Sequence, residues 1–212
     1  MKKIFMISCM LLLAYTTFGQ QIRSRDVDID DIMTLLRASG YELFSFDITE
    51  MLNERYDIHF IKKEFEAGEE IATTNLVSFP IPNQVMLTDR TLLLERVNLG
   101  FYPSGNDSTK LMNIHAPEVI TWPNPIRFNL KALRNNDLIT NHFFYEMRPF
   151  ATNTFRENEF IPLVLLGSAW WDEQLNTFRF CVENEFNPDM SSETLKLMPH
   201  YFVVGIRFDR SE

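Results

Sequence analysis

The sequence predicts a mainly β protein, an antiparallel β-sandwich of about eight to ten short strands after one short helix, with an α+β arrangement as the alternative. Three observations predict it. Apolar and polar residues alternate with period two in several short runs, as half-buried strands require. Turn residues such as Pro103-Ser104-Gly105-Asn106-Asp107-Ser108 separate those runs. Phe, which favours strands, occurs 19 times and Gly only 7 times. Few helix-length patterns alternate with the strands, which disfavours a parallel βαβ fold.

The first twenty residues read as a secretory leader. Lys2 and Lys3 precede an almost wholly apolar run, Ile4 to Tyr15, and Thr17-Phe18-Gly19 puts small residues where a signal peptidase cuts. The run is short of the ~20 residues of a membrane span. Cys9 lies inside it rather than after it, so a plain cleaved signal over residues 1–19 is expected rather than a lipid anchor. The mature chain, residues 20–212, is then one β-sandwich-like domain with no transmembrane segment. It holds 18 basic residues against 29 acidic ones once Lys2 and Lys3 are removed, a net charge of −11. Such a chain repels nucleic acid, which is excluded as a partner. Cys181 is the sole mature cysteine, so no intrachain disulfide forms. Export, to the periplasm, the outer-membrane surface or the medium, is the expected localisation.

The elements follow in order. Asp28, Asp30 and Asp31 precede Ile32, Met33, Leu35 and Leu36, and Gly40 follows, which gives a helix with acids at its positive end. The spacing Asp26-x-Asp28-x-Asp30 fails as a calcium loop, because Asp31 and Arg37 stand where Gly and Glu are needed. Phe44, Phe46 and Ile48 alternate with Leu43, Ser45 and Asp47, and a helical turn is expected over Thr49–Arg55. Ile58 and Phe60 begin a strand toward Glu66 that ends near Gly68. Val97, Leu99 and Phe101 form a hairpin with Leu111–Ile114. Ile126, Phe128 and Leu130 are expected inside, with Arg127, Asn129 and Lys131 outside. Phe202, Val204, Ile206 and Phe208 are expected inside, with Arg207 outside. Pro80-Ile81-Pro82-Asn83 is the one internal boundary the composition suggests.

Leu163–Trp171 and Phe178–Glu183 read as a second hairpin. A turn centred between Gln174 and Leu175 pairs Trp171 with Phe178, Ala169 with Phe180 and Gly167 with Val182 on one apolar face. The other face pairs Trp170 with Arg179, Ser168 with Cys181 and Leu166 with Glu183. Trp171 is therefore expected in the core. Trp170 is expected outward under the Arg179 guanidinium, in a cation–π contact of ~0.5–1 kcal/mol. Trp170 and Arg179 are the candidate ligand-binding residues.

Catalytic chemistry finds little support. His59, His115, His142 and His200 lack metal-ligand spacing, and no nucleophile elbow or phosphate loop is present. No cofactor, metal or catalytic residue is expected. The acid pairs Glu64/Glu66, Glu69/Glu70, Asp172/Glu173 and Glu183/Glu185 read as solvated faces. Asn106-Asp107-Ser108 is a sequon, and Asp107-Ser108-Thr109 matches an O-glycosylation pattern of bacterial envelope proteins.

The leader ending before Gln20-Gln21, the Tyr41–Phe65 block and the closing His200–Phe208 run resemble the short secreted proteins of unknown function of gut Bacteroidetes. The resemblance implies export and transfers no functional residue. The reading is a secreted envelope protein, more binding module than enzyme, that takes a protein or a glycan. A carboxylate-dependent glycan hydrolase and a secreted hydrolase inhibitor, presenting the Pro103–Ser108 loop, are the alternatives.

Overall fold

The computed structural model describes residues 28–211, apart from 118, 136–137, 152–153 and 181–182. The leader assigned to residues 1–19 lies outside them, as does Cys181. The chain divides into two compact units, Met1–Leu35 and Leu36–Glu212. Helix α1 (Ile29–Ala38) begins in the first and buries no residue. Its start is capped reciprocally: the Asp28 carboxylate accepts the Asp31 amide and the Asp31 carboxylate accepts the Asp28 amide, both at 3.1 Å. Gly40 ends it at φ +80°, a backbone state that L side chains rarely adopt.

The second unit is mainly β. In chain order its strands are β1 (Glu42–Asp47), β2 (Tyr56–Glu66), β3 (Glu69–Asn75), β4 (Ile81–Pro82), β5 (Gln84–Met86), β6 (Thr91–Leu93), β7 (Arg96–Pro103), β8 (Thr109–Ala116) and β9 (Ile120–Thr121). Then come β10 (Ile126–Asn129), β11 (Arg134–Asn135), β12 (Leu138–Ile139), β13 (Tyr145–Pro149), β14 (Ile161–Ser168), β15 (Trp170–Asp172), β16 (Thr177–Arg179), a short helix α2 (Glu193–Leu197) and β17 (His200–Arg210). The pairing is antiparallel throughout the named ladders. One sheet runs β1-β7-β8-β10, with β9 on β8. A larger sheet runs β13-β14-β17-β2-β3, with β4 on β2.

The two sheets bury a common core. Val97, Leu99 and Phe101 of β7, Met112 and Ile114 of β8 and Phe128 of β10 meet Ile58, Phe60, Val164, Leu166, Phe202, Val204, Ile206 and Phe208 of the larger sheet. Period-two burial along β7 (Val97, Leu99, Phe101) explains why this face was legible in the sequence. Phe128 is buried while Arg127 and Asn129 are exposed. Ile126 and Leu130 are only half-buried, since β10 is an edge strand.

Strand β17 departs from the expected alternation. Phe202, Val204, Ile206 and Phe208 are buried, but so are Tyr201 and Val203. The reason is a second apolar layer on the outer face of the larger sheet, where Phe150, Phe186, Leu195 and Met198 cover Phe65, Leu165, Tyr201 and Val203. A strand covered on both faces loses its polar phase. Gly205 allows this cover to close. A Cβ there would strike the Ile161 carbonyl oxygen and come within 2.6 Å of the Phe160 ring.

The Pro80–Asn83 segment is no boundary in the structure. Ile81 and Pro82 pair with β2. The Asn83 side chain, 1% exposed, accepts the Tyr56 amide at 2.9 Å and donates to the carbonyls of Met51 and Glu54 at 2.8 and 2.9 Å. Strand β3 had no sequence signature because every one of its residues is exposed, so no period marks it.

Candidate functional site

The larger sheet turns from apolar to polar along its own strands. On the core face, Ile206 stands opposite Phe60. The next row across the sheet is Val164, Val204 and Lys62, and the next is Met147, Leu166, Phe202 and Glu64. The last row pairs Tyr145 with Ser168 and His200 with Glu66, and the Ser168 hydroxyl accepts the His200 amide at 3.3 Å. Strand parity therefore carries six polar side chains, Lys62, Glu64, Glu66, Tyr145, Ser168 and His200, onto a face that is hydrocarbon at the other end. Lys62 is the transition: its ammonium lies 5.4 Å from the centroids of both Phe128 and Phe202.

His200 centres this polar end. It is 2% exposed. Its Nδ1 lies 2.6 Å from the Tyr145 hydroxyl and its Nε2 lies 2.9 Å from Glu64 Oε1. A carboxylate only accepts, so Nε2 carries the proton and Nδ1 accepts from the Tyr145 hydroxyl. Tyr145 in turn accepts the Lys131 amide at 3.0 Å. The Tyr145 hydroxyl and both His200 ring nitrogens are thus engaged in one protonation state, with His200 neutral. Burial holds the His200 pKa below its ordinary value, opposed by the hydrogen bond to Glu64 and reinforced by the Lys131 charge. Burial also pushes the Tyr145 hydroxyl well above its ordinary value.

The segment after β10 covers this end. Lys131 pairs with Glu66 at 2.8 Å, which keeps the Glu66 pKa below the usual carboxylate range. Between this segment and the sheet lies a cleft of about 250 Å³ lined by Tyr145, Ser168, Pro199, His200, Lys131, Ala132, Leu133, Arg134 and Glu66.

The apolar end opens into a larger groove of about 870 Å³. Its floor is Leu163, Ile206, Phe208 and Phe155. One wall is the edge strand β1 with the 3-10 turn Thr49–Asn53, and the other is Phe150–Ala151 with Ile161 and Pro162. Asp47, Glu50 and Glu185 stand in its lining, and no Lys, Arg or His does among the described residues.

The family model described as a domain of unknown function (DUF5041) matches residues 11–210. The chain belongs to this family. No curated protein and no solved structure matches it.

In this DUF5041 chain the sequence-predicted candidates sit apart from both concavities. Trp170 pairs with Arg179 and Trp171 with Phe178, the register expected from the turn. The ladder does not continue into β14, because Gly167 already pairs with Glu146 on one side and Tyr201 on the other, leaving no edge for a third strand. The expected facing is corrected too. Trp170, not Trp171, packs against a core cluster, the outer-layer one, while Trp171 meets Phe178 edge-on at 5.0 Å. Arg179 reaches Asp172 at 3.0 Å instead of covering Trp170. The carboxylate is the stronger partner for an exposed guanidinium than a ring face.

The acid pairs also resolve. Glu64 serves His200 and Glu66 serves Lys131. Glu183 accepts the Ser192 and Thr194 hydroxyls at 2.6 Å, which secures the start of α2. Glu185 lines the groove. Glu70 pairs with Lys63 at 2.8 Å and Asp172 with Arg179 at 3.0 Å, so each of the four pairs read as solvated faces contains an acid with a structural partner. Among the described residues no three His, Cys, Asp or Glu side chains form a metal-ligating group, and no helix is long and apolar enough to cross a membrane. Sequence reasoning missed Tyr145, Ser168, Glu64 and His200 as a set. Parity was the available signal: His200 shares the phase of Phe202, and Glu64 that of Phe60.

Proposed function

We propose that this chain is an exported, non-enzymatic binding module of the bacterial envelope whose partner is a protein, taken as an extended segment carrying basic and apolar side chains. The groove carries this reading: it is large enough for several side chains, its floor is apolar, and its charged lining is wholly acidic. Strand β1 beside it is an edge strand, so an extended segment finds both main-chain partners and side-chain space. The acidity of the whole chain, net −9, steers a basic segment toward it.

The test uses a defined peptide with alternating Lys and Leu, and a matched peptide with Glu in place of Lys, followed by calorimetry. The basic peptide should bind, more weakly as salt rises, and the double variant Glu50→Gln/Glu185→Gln should weaken it about tenfold. Equal binding of the acidic peptide, or a hit restricted to a glycan panel, would overturn the protein reading. Export rests on the leader-like residues 1–19. Mass analysis of the mature protein should place its start at Gln20, and a start at Met1 would remove that part of the proposal.

A further inference from the structure

The cleft at the polar end is a built site that the groove reading does not use. The geometry points to a binding site for a small monocarboxylate with an apolar body. The first observation is which hydrogen-bonding capacity remains there. Tyr145 and His200 are spent on each other, on the Lys131 amide and on Glu64. Ser168, 2% exposed, accepts the His200 amide, and the described hydrogen bonds leave its own proton unused. Arg134 lines the cleft and has no ion-pair partner among the described residues. What remains is donor-rich, and a carboxylate is the group that accepts without needing to donate.

The second observation is charge. Glu66 is balanced by Lys131 at 2.8 Å, and the Glu64 carboxylate behind the neutral His200 offsets Arg134 across the site, so the cleft is close to neutral overall and Arg134 is the cation at its mouth, with no carboxylate in direct contact among the described residues. The third observation is size and wall chemistry. At about 250 Å³ the cleft is smaller than the usual range for drug-sized ligands, and Leu133, Ala132, Pro199 and the Tyr145 ring provide apolar walls. One ring or a short alkyl chain fits behind the carboxylate.

Benzoate, benzamide, acetate and inorganic phosphate are the probes, titrated into the ¹⁵N-labelled full chain. Benzoate should give saturable amide shifts centred on Lys131, Leu133, Ser168 and His200. Benzamide, which keeps the ring but loses the charge, should bind about tenfold more weakly, and so should acetate, which keeps the charge but loses the ring. Arg134→Gln is at the surface and should leave the melting temperature unchanged while weakening benzoate about tenfold. Ser168→Ala checks the buried donor and should weaken benzoate with the same benzamide affinity as the parent. Benzamide binding as tightly as benzoate, phosphate binding as tightly as benzoate, or an Arg134→Gln variant with unchanged benzoate affinity would each overturn the assignment. Shifts confined to residues around Ile206 and Phe208 would do the same, since they would place the ligand in the other groove. The peptide titration of the groove is read independently, so either result stands without the other.

Discussion

The two ends of β17 share one strand, one sheet and one phase, yet behave as different materials. At the Ile206–Phe208 end, the core face is hydrocarbon. Phe208 meets Tyr56 and Phe155 edge-on at 5.9 and 5.3 Å. Nothing there depends on a proton. At the His200 end, the same face carries a relay in which each side chain is held by its neighbour's protonation state. The apolar end tolerates changes in proportion to the volume removed. The polar end is all-or-none, because removing one member leaves its neighbours buried without partners.

The largest effect is expected where the two ends meet. Phe202 packs against Phe128 at 5.2 Å and against the His200 ring at 4.7 Å, with Lys62 above it. Phe202→Ala should destabilise by ~3–5 kcal/mol in denaturant unfolding. A loss below ~1 kcal/mol, the scale of a surface change, would mean that the inter-sheet face is assigned wrongly.

His200→Phe comes next. The ring volume is kept, but Tyr145 loses its acceptor and Glu64 its donor, for a cost of ~2–3 kcal/mol. The volume-reducing control at the other end, Ile206→Val, should cost ~0.5–1.5 kcal/mol. Equal costs would erase the contrast. The same variant isolates a pH effect. The folded His200 pKa lies below 6.5, so the stability of the neutral relay is complete above pH 6.5 and is lost as pH falls through the lower folded value. Unfolding midpoints at pH 7.5 and pH 5 should differ more for the parent than for His200→Phe. An identical pH dependence in both would show that the relay is not the titrating element.

Gly205→Ala should cost ~1–3 kcal/mol, because backbone and an aromatic ring occupy the space a methyl needs. Gly167→Ala should cost less, since its new methyl meets the end of the flexible Met198 side chain. A reversal of that order would mean that the β14 backbone at Ile161 yields more readily than the outer-layer Met198 side chain. The smallest effect belongs to Arg179→Ala, which removes an exposed pair with Asp172 and should change stability by ~0–1 kcal/mol.

The sequence by itself determined what is local. Alternation identified β7, the Phe128 face of β10 and the inward set of β17, because one buried face imposes period two on the chain that forms it. The Gln174–Leu175 turn determined the Trp170–Arg179 register, because a two-stranded ladder is set by its turn. Only the tertiary structure decided the rest. It made β17 a central strand covered on both faces, which erased the polar phase expected at Tyr201 and Val203. It turned the 163–171 run at Ala169, whose amide bonds to Phe144, because β14 already had a neighbour on each edge. It also assembled the relay, since Glu64, Tyr145 and His200 lie 136 and 55 residues apart in the pairs that join them. Strand phase can say that a His or a Glu faces inward. Which strand lies beside it, and so whether it meets a partner or solvent, depends on long-range pairing that no local pattern encodes.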